Sequence, residues 1–376
     1  MGARLKQLLI KEFIQIFRDP RTRGVVFVLP VFQMILFGYA VTTDVKHVAT
    51  GIYDLDNSVS SRDLLSRFIH TGYFDIEAVV TREQEIQPLI DHGRIQMLIR
   101  MDKGFEKNLK SGKPGLVQII VDGTDSNTAA IVLNYSSTII SQYSQEILNQ
   151  QFLRQYGTTR ALSPVSLDTR AWFNENLESR NFYVPGVIAL LVMVITLLLT
   201  SMAVVREKEI GTIEQIMVTP ITPKEFILGK TLPFALISLI DVVLITLVGV
   251  YWFSVPIRGS LPLLLLSTTL YLMTTLGIGL FISTISRTQQ QAMMSAFFFQ
   301  FPAMLLSGFV FPIANMPEVI QWLTYINPLR YFLVVIRGIF LKGVGLQVLW
   351  PHLCALGVMG ILTLWLASLR FKKTMV

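Results

Sequence analysis

The chain alternates between long apolar runs and polar segments. Six runs lie near residues 24–41, 183–204, 226–253, 261–285, 289–311 and 348–369. A helix needs about 20 apolar residues to cross the hydrocarbon core of a bilayer, and each run is close to that length or longer. The pattern therefore predicts an α-helical integral membrane protein with six transmembrane helices, the first of them at residues 24–43.

Residues 1–23 have the pattern of an amphipathic helix. Apolar residues recur at helical spacing from Leu5 to Phe17, basic residues occupy the other face, and Asp19 and Pro20 end the pattern. Such a helix is expected to lie in the cytoplasmic interface of the membrane. A cleaved signal peptide is the alternative, but its charged region would be unusually long and amphipathic.

Residues 44–180 read as a water-soluble domain inserted after the first span. Strands are predicted near 51–56, 74–80, 95–101 and 116–121, with helices between them and a long helix from about 128 to 156. This alternation predicts an α/β or α+β domain. The carboxylates of this domain, Asp54, Asp56, Asp122 and Asp125, could form a cluster, but aspartate at turns after strands is the more common explanation.

Two polar segments interrupt the remaining membrane domain, residues 181–376. Residues 206–224 begin with four consecutive charges, continue with helical spacing, and break at Pro220 and Pro223. We interpret them as a short surface helix whose water-exposed charges suit docking of a soluble partner, with a connecting loop as the alternative. Residues 313–343 are too polar and proline-rich for a simple span, and we expect re-entrant or interfacial helices there.

Basic residues beside the apolar runs set the predicted orientation. They lie before the first run, between the second and third, between the fourth and fifth, and after the last. With six spans, all of these segments fall on one side of the membrane. Both termini are therefore expected in the cytoplasm, with residues 44–180 and 313–343 outside.

Composition excludes several classes of site. No G-x-x-x-x-G-K-[ST] motif occurs, so the chain is not expected to bind ATP through a P-loop. The single cysteine, Cys354, and four scattered histidines give no metal-binding spacing. The excess of basic residues follows the membrane topology and does not indicate nucleic-acid binding.

The spans contain candidate pathway residues. Soft Met and Phe side chains suit varied hydrophobic cargo, although packing against other spans or contact with lipid is the more common explanation for any single one. Asp241 lies within a span, where an ionisable group is costly and indicates either a functional site or a buried structural carboxyl group. The candidates are Asp241, Met293, Met294, Phe297, Phe298, Gln300, Phe301 and Met304.

Several motifs, in order, resemble the permease subunits of type-2 ABC exporters. LIKEFIQIFRDP (residues 9–20) resembles the interface helix of that family, and EIGTIEQIMVTP (209–220) followed by LGK (228–230) resembles its cytoplasmic coupling segment. SGFVFP (307–312), NPLR (327–330) and RGIFLKG (337–343) are similar to its external region. The large external domain is similar to that of the bacterial drug-exporter branch.

The resemblance implies a permease subunit of the bacterial inner membrane that is not itself an enzyme. Two permease chains, identical or paralogous, would form the pathway. Separate ATP-binding cassette subunits would hold ATP and Mg, so no cofactor is expected on this chain. The residues expected to contact those subunits are Lys11, Glu12, Arg206, Glu207, Lys208, Glu209 and Glu214. A hydrophobic or amphipathic compound, drug-like or lipid-like, would be exported, and a periplasmic adaptor is a further candidate partner.

Three alternatives stay open. The chain could transmit motion to a periplasmic adaptor without passing cargo through its own spans. It could be a membrane-anchored sensor whose external domain binds a ligand, although no cytoplasmic output domain is evident. A secondary transporter would need coupling charges in the membrane, and Asp241 is almost alone there; no inverted repeat is visible.

Overall fold

A computed structural model describes residues 2–18, 20–40, 45–157, 172–174, 178–211 and 223–374. The chain divides into two compact units. We call residues 1–42 and 170–376 the membrane unit, and residues 43–169 the external unit, after the location that the sequence predicts for them.

The N-terminal part of the membrane unit is helical, as the periodicity predicts. Leu8 and Glu12 are buried, whereas Ile10, Ile14 and Phe17 are exposed apolar side chains suited to contact with lipid. In the first apolar run, Val26–Ala40 forms an apolar helix, and residues 41–44 are outside the described residues. The elements are α1 (Gly2–Arg18), α2 (Pro20–Arg23), a π-helical turn (Gly24–Val28) and α3 (Leu29–Ala40).

The external unit contains a four-stranded mixed sheet in the order β2-β1-β3-β4. Strand β1 is parallel to β2 and β3, and β3 is antiparallel to β4. The alternating strands and helices confirm the predicted α/β character. The elements are β1 (Val48–Asp54), α4 (Val59–His70), β2 (Phe74–Val79), α5 (Ile86–Asp91), β3 (Met97–Met101), α6 (Phe105–Lys110), β4 (Val117–Val121) and α7 (Ser126–Tyr156).

The aspartates of the external unit organise turns and do not form a cluster. Asp54 Oδ1 accepts hydrogen bonds from two backbone N–H groups of the following turn, and Asp125 caps α7. Asp56 accepts hydrogen bonds from the backbone N–H groups of Gly104 (2.7 Å) and Glu106 (3.0 Å). A hydrogen bond from the Ser58 side chain, together with these backbone bonds, lowers the pKa of the Asp56 carboxyl group. Among the described residues, no group of three or more His, Cys, Asp or Glu side chains could hold a metal ion.

The C-terminal part of the membrane unit packs around one nearly buried helix, α8. The helices α9, α10, α11 and α13, together with α3, contact it. Apolar residues of α8 from Val184 to Leu197 form the centre of the core. The elements are α8 (Ser179–Ile210), α9 (Pro223–Tyr251), α10 (Leu261–Ile285), α11 (Gln289–Leu305), α12 (Glu318–Thr324), α13 (Pro328–Arg337), a second π-helical turn (Gly338–Lys342) and α14 (Leu346–Thr374).

Four of the described helices, α8, α9, α10 and α14, are long and apolar enough to cross a membrane. The segment from Glu318 to Lys342 bends by 78° at its break, and would count as a fifth span if it crosses as one piece. Helix α11 ends at Leu305, six residues before the end of the predicted run, and Gly308 turns the chain three residues later with φ +82°. The count of six spans therefore stays a prediction.

Candidate functional site

The charged residues at the end of α8 join several helices of the membrane unit. Glu207 contacts α1 and α9, Lys208 contacts the end of α10, and Glu209 contacts the start of α11. We use the name charged junction for Glu12, Glu207, Lys208, Glu209 and Lys230. Residues 212–222, which connect α8 to α9 in the chain, are outside the described residues and include Glu214.

Lys230 on α9 is the centre of the junction. Its Nζ lies 2.7 Å from Glu12 Oε1 on α1 and 2.7 Å from Glu207 Oε1 on α8. Side chains of all three residues are at most 6% exposed. Lys11, which is half exposed, lies 3.2 Å from Glu207 Oε1. Because desolvated charges are costly unless they are paired, these contacts fix the relative positions of three helices.

The glycine before Lys230 allows α1 to approach so closely. A side chain at Gly229 would collide with Leu8, which packs directly on the backbone of α9 at this point. Leu8 and Glu12 are four residues apart and therefore lie on one face of α1. The helix is thus held by an apolar contact and an ion pair one turn apart.

Lys208 and Glu209 bond to opposite kinds of helix terminus. Lys208 Nζ donates a hydrogen bond to the carbonyl of Thr284 (2.9 Å), in the last turn of α10. Glu209 Oε2 accepts hydrogen bonds from the backbone N–H (3.1 Å) and the side chain (2.8 Å) of Gln289, the first residue of α11. A cation at a helix C-terminus and an anion at an N-terminus both match the helix dipole.

The structure changes the interpretation of two predicted contact residues. We expected Glu207 to face water, but Glu12 and Glu207 are 2% and 4% exposed. That expectation is wrong for Glu207, because both carboxylates are paired with Lys230 inside the unit. Either one could act on a partner subunit only through the helices that it holds. Arg206 is partly buried, whereas Lys11 and Glu209 are exposed, and the assignment of these three as contacts stays a prediction.

Five of the seven candidate pathway residues on α11 form an exposed face. Ala292, Ala296 and Ala303 are buried, and the helix packs against α8. Phe298 is 80% exposed, and Met304 is partly buried against the core. Gln300 has a buried Oε1 without a hydrogen-bond partner among the described residues. The exposed side chains are Met293, Met294, Phe297, Phe298 and Phe301.

Asp241 lies elsewhere, inside the membrane unit on α9. It is 2% exposed, and neither carboxylate oxygen has a hydrogen-bond partner among the described residues. Ser238, one turn earlier on the same helix, also has a buried hydroxyl group without such a partner. Asp241 is therefore not part of the exposed Met and Phe surface of α11, and its assignment to a pathway stays a prediction.

Sequence reasoning did not identify Lys230, Thr284 or Gln289 as members of the site. In the sequence, Lys230 stands out only as the last residue of the LGK motif. One signal was available, because a lysine within the apolar pattern of a span must find a buried partner. The identity of its partners depends on tertiary structure, since Glu12 belongs to α1 and Glu207 to α8, whereas Lys230 lies on α9.

Comparison with known proteins gives consistent matches over the whole chain. The family model described as "ABC-2 family transporter protein" matches residues 21–369. The chain is 34% identical over 373 residues to the probable multidrug ABC transporter permease YbhR of Escherichia coli, covering 99% of both chains. It is 35% identical over 376 residues to the probable multidrug ABC transporter permease YbhS of the same organism, covering 98% and 97%.

A eukaryotic relative matches more weakly. ABC transporter G family member 20 of Dictyostelium discoideum is 25% identical over 346 residues, which cover 90% of this chain and 46% of that protein. The bacterial matches span both units, including the external one. With the motifs, the apolar helices and the family match in agreement, the chain belongs to the ABC-2 family of transporter permeases.

Proposed function

We propose that this chain is the permease subunit of an ATP-driven exporter of hydrophobic or amphipathic compounds. The observation that carries the proposal is the charged junction, in which one short run at the end of α8 holds α1, α9, α10 and α11. Force applied beside this run would reach all four helices together. A separate subunit would bind ATP and Mg, and this chain would catalyse no reaction itself.

Cargo would move along a surface that includes the exposed face of α11. Five large Met and Phe side chains cover that face, and they can adapt to ligands of different shape. A second permease chain, identical or paralogous, would close the pathway from the other side. The names of YbhR and YbhS as probable multidrug permeases support cargo of this class.

The proposed location is the inner membrane of a bacterium, with both termini in the cytoplasm. An E. coli relative, 31% identical over 328 residues, is named inner membrane transport permease YhhJ. In this orientation the charged junction faces the cytoplasm, where ATP is available. The external unit would face the periplasm, and a periplasmic adaptor is the candidate partner there.

Co-expression with the ATP-binding subunit encoded nearest to the chain tests this proposal. We expect the two proteins to co-purify and the chain to alter the ATPase rate. Glu209→Lys should uncouple the pair, because it places a cation at the N-terminus of α11 and removes the acceptor of Gln289. The same reversal at Glu214 tests the adjacent predicted contact.

Glu77→Lys is the matched control, because this residue lies in the external unit. It should leave co-purification and ATPase rate unchanged. If no ATP-binding subunit binds the intact chain, the exporter proposal fails. Binding of a ligand by the external unit of the full-length chain would then favour the sensor alternative.

A further inference from the structure

Lys230 connects the N-terminal helix to both helices that flank residues 212–222. Glu207 lies in the last turn of α8 and Lys230 lies in the first turns of α9, whereas Glu12 belongs to α1. The Lys230 ammonium group lies 2.7 Å from a carboxylate oxygen of each acid, and it donates a hydrogen bond to Glu207. Three helices therefore share a single cation.

The surroundings make this cation difficult to replace. Glu12, Glu207 and Lys230 are all buried, so none of them is compensated fully by water. Lys11 also lies within 4 Å of both acids, but it is half exposed and therefore a weaker partner for buried carboxylates. Without Lys230, two buried carboxylates would repel each other across α1 and α8.

The contact of Leu8 with Gly229 adds a second fixed point. A Cβ built at position 229 would lie 3.3 Å from the Cβ of Leu8. This apolar contact lies one helical turn of α1 away from the Glu12 ion pair. Because the two contacts lie at different positions along α1, they fix the orientation of its axis as well as its distance from α9.

We propose that Lys230 is a positioning residue that makes α1, the end of α8 and the start of α9 into one rigid body. An isolated amphipathic helix in the interface could slide and rotate against the membrane protein. Helix α1 is instead expected to move only together with α8 and α9. The consequence for transport rests on the proposed function. In that case α1 would transmit force from the ATP-binding subunit to α8 and α9.

Disulfide formation in membranes tests the rigid attachment without requiring activity. The parent is the full chain with Cys354→Ser, and the probe is the pair Leu8→Cys/Gly229→Cys, whose Cβ separation is close to that of a disulfide. We expect rapid cross-linking in the probe. Lys230→Met should slow it at least several-fold, whereas Lys6→Met, at an exposed lysine of the same helix, should not.

Charge exchange protects the test against misfolding of the single variant. Lys230→Glu/Glu12→Lys keeps one ion pair between α1 and α9, and should restore the cross-linking rate that Lys230→Glu loses. Equal rates for the parent probe and Lys230→Met would overturn the proposal. Failure of the exchanged pair to recover above Lys230→Glu would also overturn it, because the effect would then not depend on this ion pair.

Transport by the cross-linked protein tests rigid motion. With the ATP-binding subunit bound, oxidation of the Leu8→Cys/Gly229→Cys chain should leave ATP-driven export close to that of the reduced protein. Loss of export on oxidation that returns on reduction would show that α1 must move against α9, and the inference would be wrong. If no ATP-binding subunit binds even the unmodified chain, the proposed function fails while the cross-linking result still decides the attachment.

Discussion

At the scale of single residues, the sequence pattern predicts where the charged junction lies, whereas the tertiary structure determines which of its residues pair. The run at residues 206–209 stands out in the sequence because it is a block of four charges between two apolar runs. Its burial does not stand out, since helical spacing alone leaves Glu207 on a polar face. Burial arises because Lys230 and Glu12 approach from distant parts of the chain. The position of the site was therefore predictable, and its internal partners were not.

Substitution of Gly229 is a first prediction at this scale. Gly229→Val places a branched side chain against Leu8. It should destabilise the packing of α1 on α9 by about 1–3 kcal/mol, because overpacking of a close contact is unfavourable. Thermal unfolding of the purified protein measures the effect. The double variant Leu8→Ala/Gly229→Ala, with a smaller side chain at each clashing position, should recover part of the loss. No difference between Gly229→Val and the parent would contradict the close approach.

A second prediction concerns Asp56 in the external unit. Hydrogen bonds lower the pKa of the Asp56 carboxyl group in the folded protein below the ordinary value of 3.8. The ionised carboxylate therefore contributes to the stability of the folded protein above pH 3.8, and this contribution is lost as the pH falls through the folded pKa. Asp56→Asn should remove this pH dependence. Hydrogen exchange at the amides of Gly104 and Glu106, corrected for intrinsic rates, measures it. Equal pH dependence in both proteins would contradict the assignment.

At the scale of elements, the periods of the sequence predicted the strands and helices of the external unit well. The order of the strands was not predictable, because β1 lies between β2 and β3 only through tertiary pairing. The end of α11 was also missed. Its apolar pattern continues to residue 311, but the helix ends at Leu305 and a turn with Gly308 at positive φ follows, which the apolar pattern does not reveal.

The two faces of α11 give a third prediction. Phe298→Ser should preserve the fold of the chain and change which compounds are exported, because this side chain lies on the exposed face of α11. Ala296→Leu should instead destabilise the packing of α11 on α8 by about 1–3 kcal/mol, because this alanine is fully buried. Thermal unfolding and export assays with several dyes separate the two effects. A strongly destabilised Phe298→Ser protein would show that the face packs inside the unit.

At the scale of the whole molecule, composition and hydropathy alone are enough to assign the class of protein. An apolar fraction of 52% and long hydrophobic runs require a membrane protein, and four of the described helices are long and apolar enough to cross a bilayer. The number of spans is less predictable, because the fifth run forms a helix of 17 residues and the first run is described only as far as Ala40. Packing against α8 lets such helices lie in the membrane unit without being long and apolar throughout.

We propose that this chain exports an amphipathic compound when a separate subunit, bound beside the charged junction, hydrolyses ATP. The most direct measurement is ATP-dependent uptake of a fluorescent amphipathic dye into inside-out vesicles that contain both proteins. We expect dye uptake that requires both subunits. For the Glu209→Lys variant, we expect ATP hydrolysis to continue with little uptake. Equal uptake in vesicles that lack this chain, or undiminished uptake with Glu209→Lys, would contradict it.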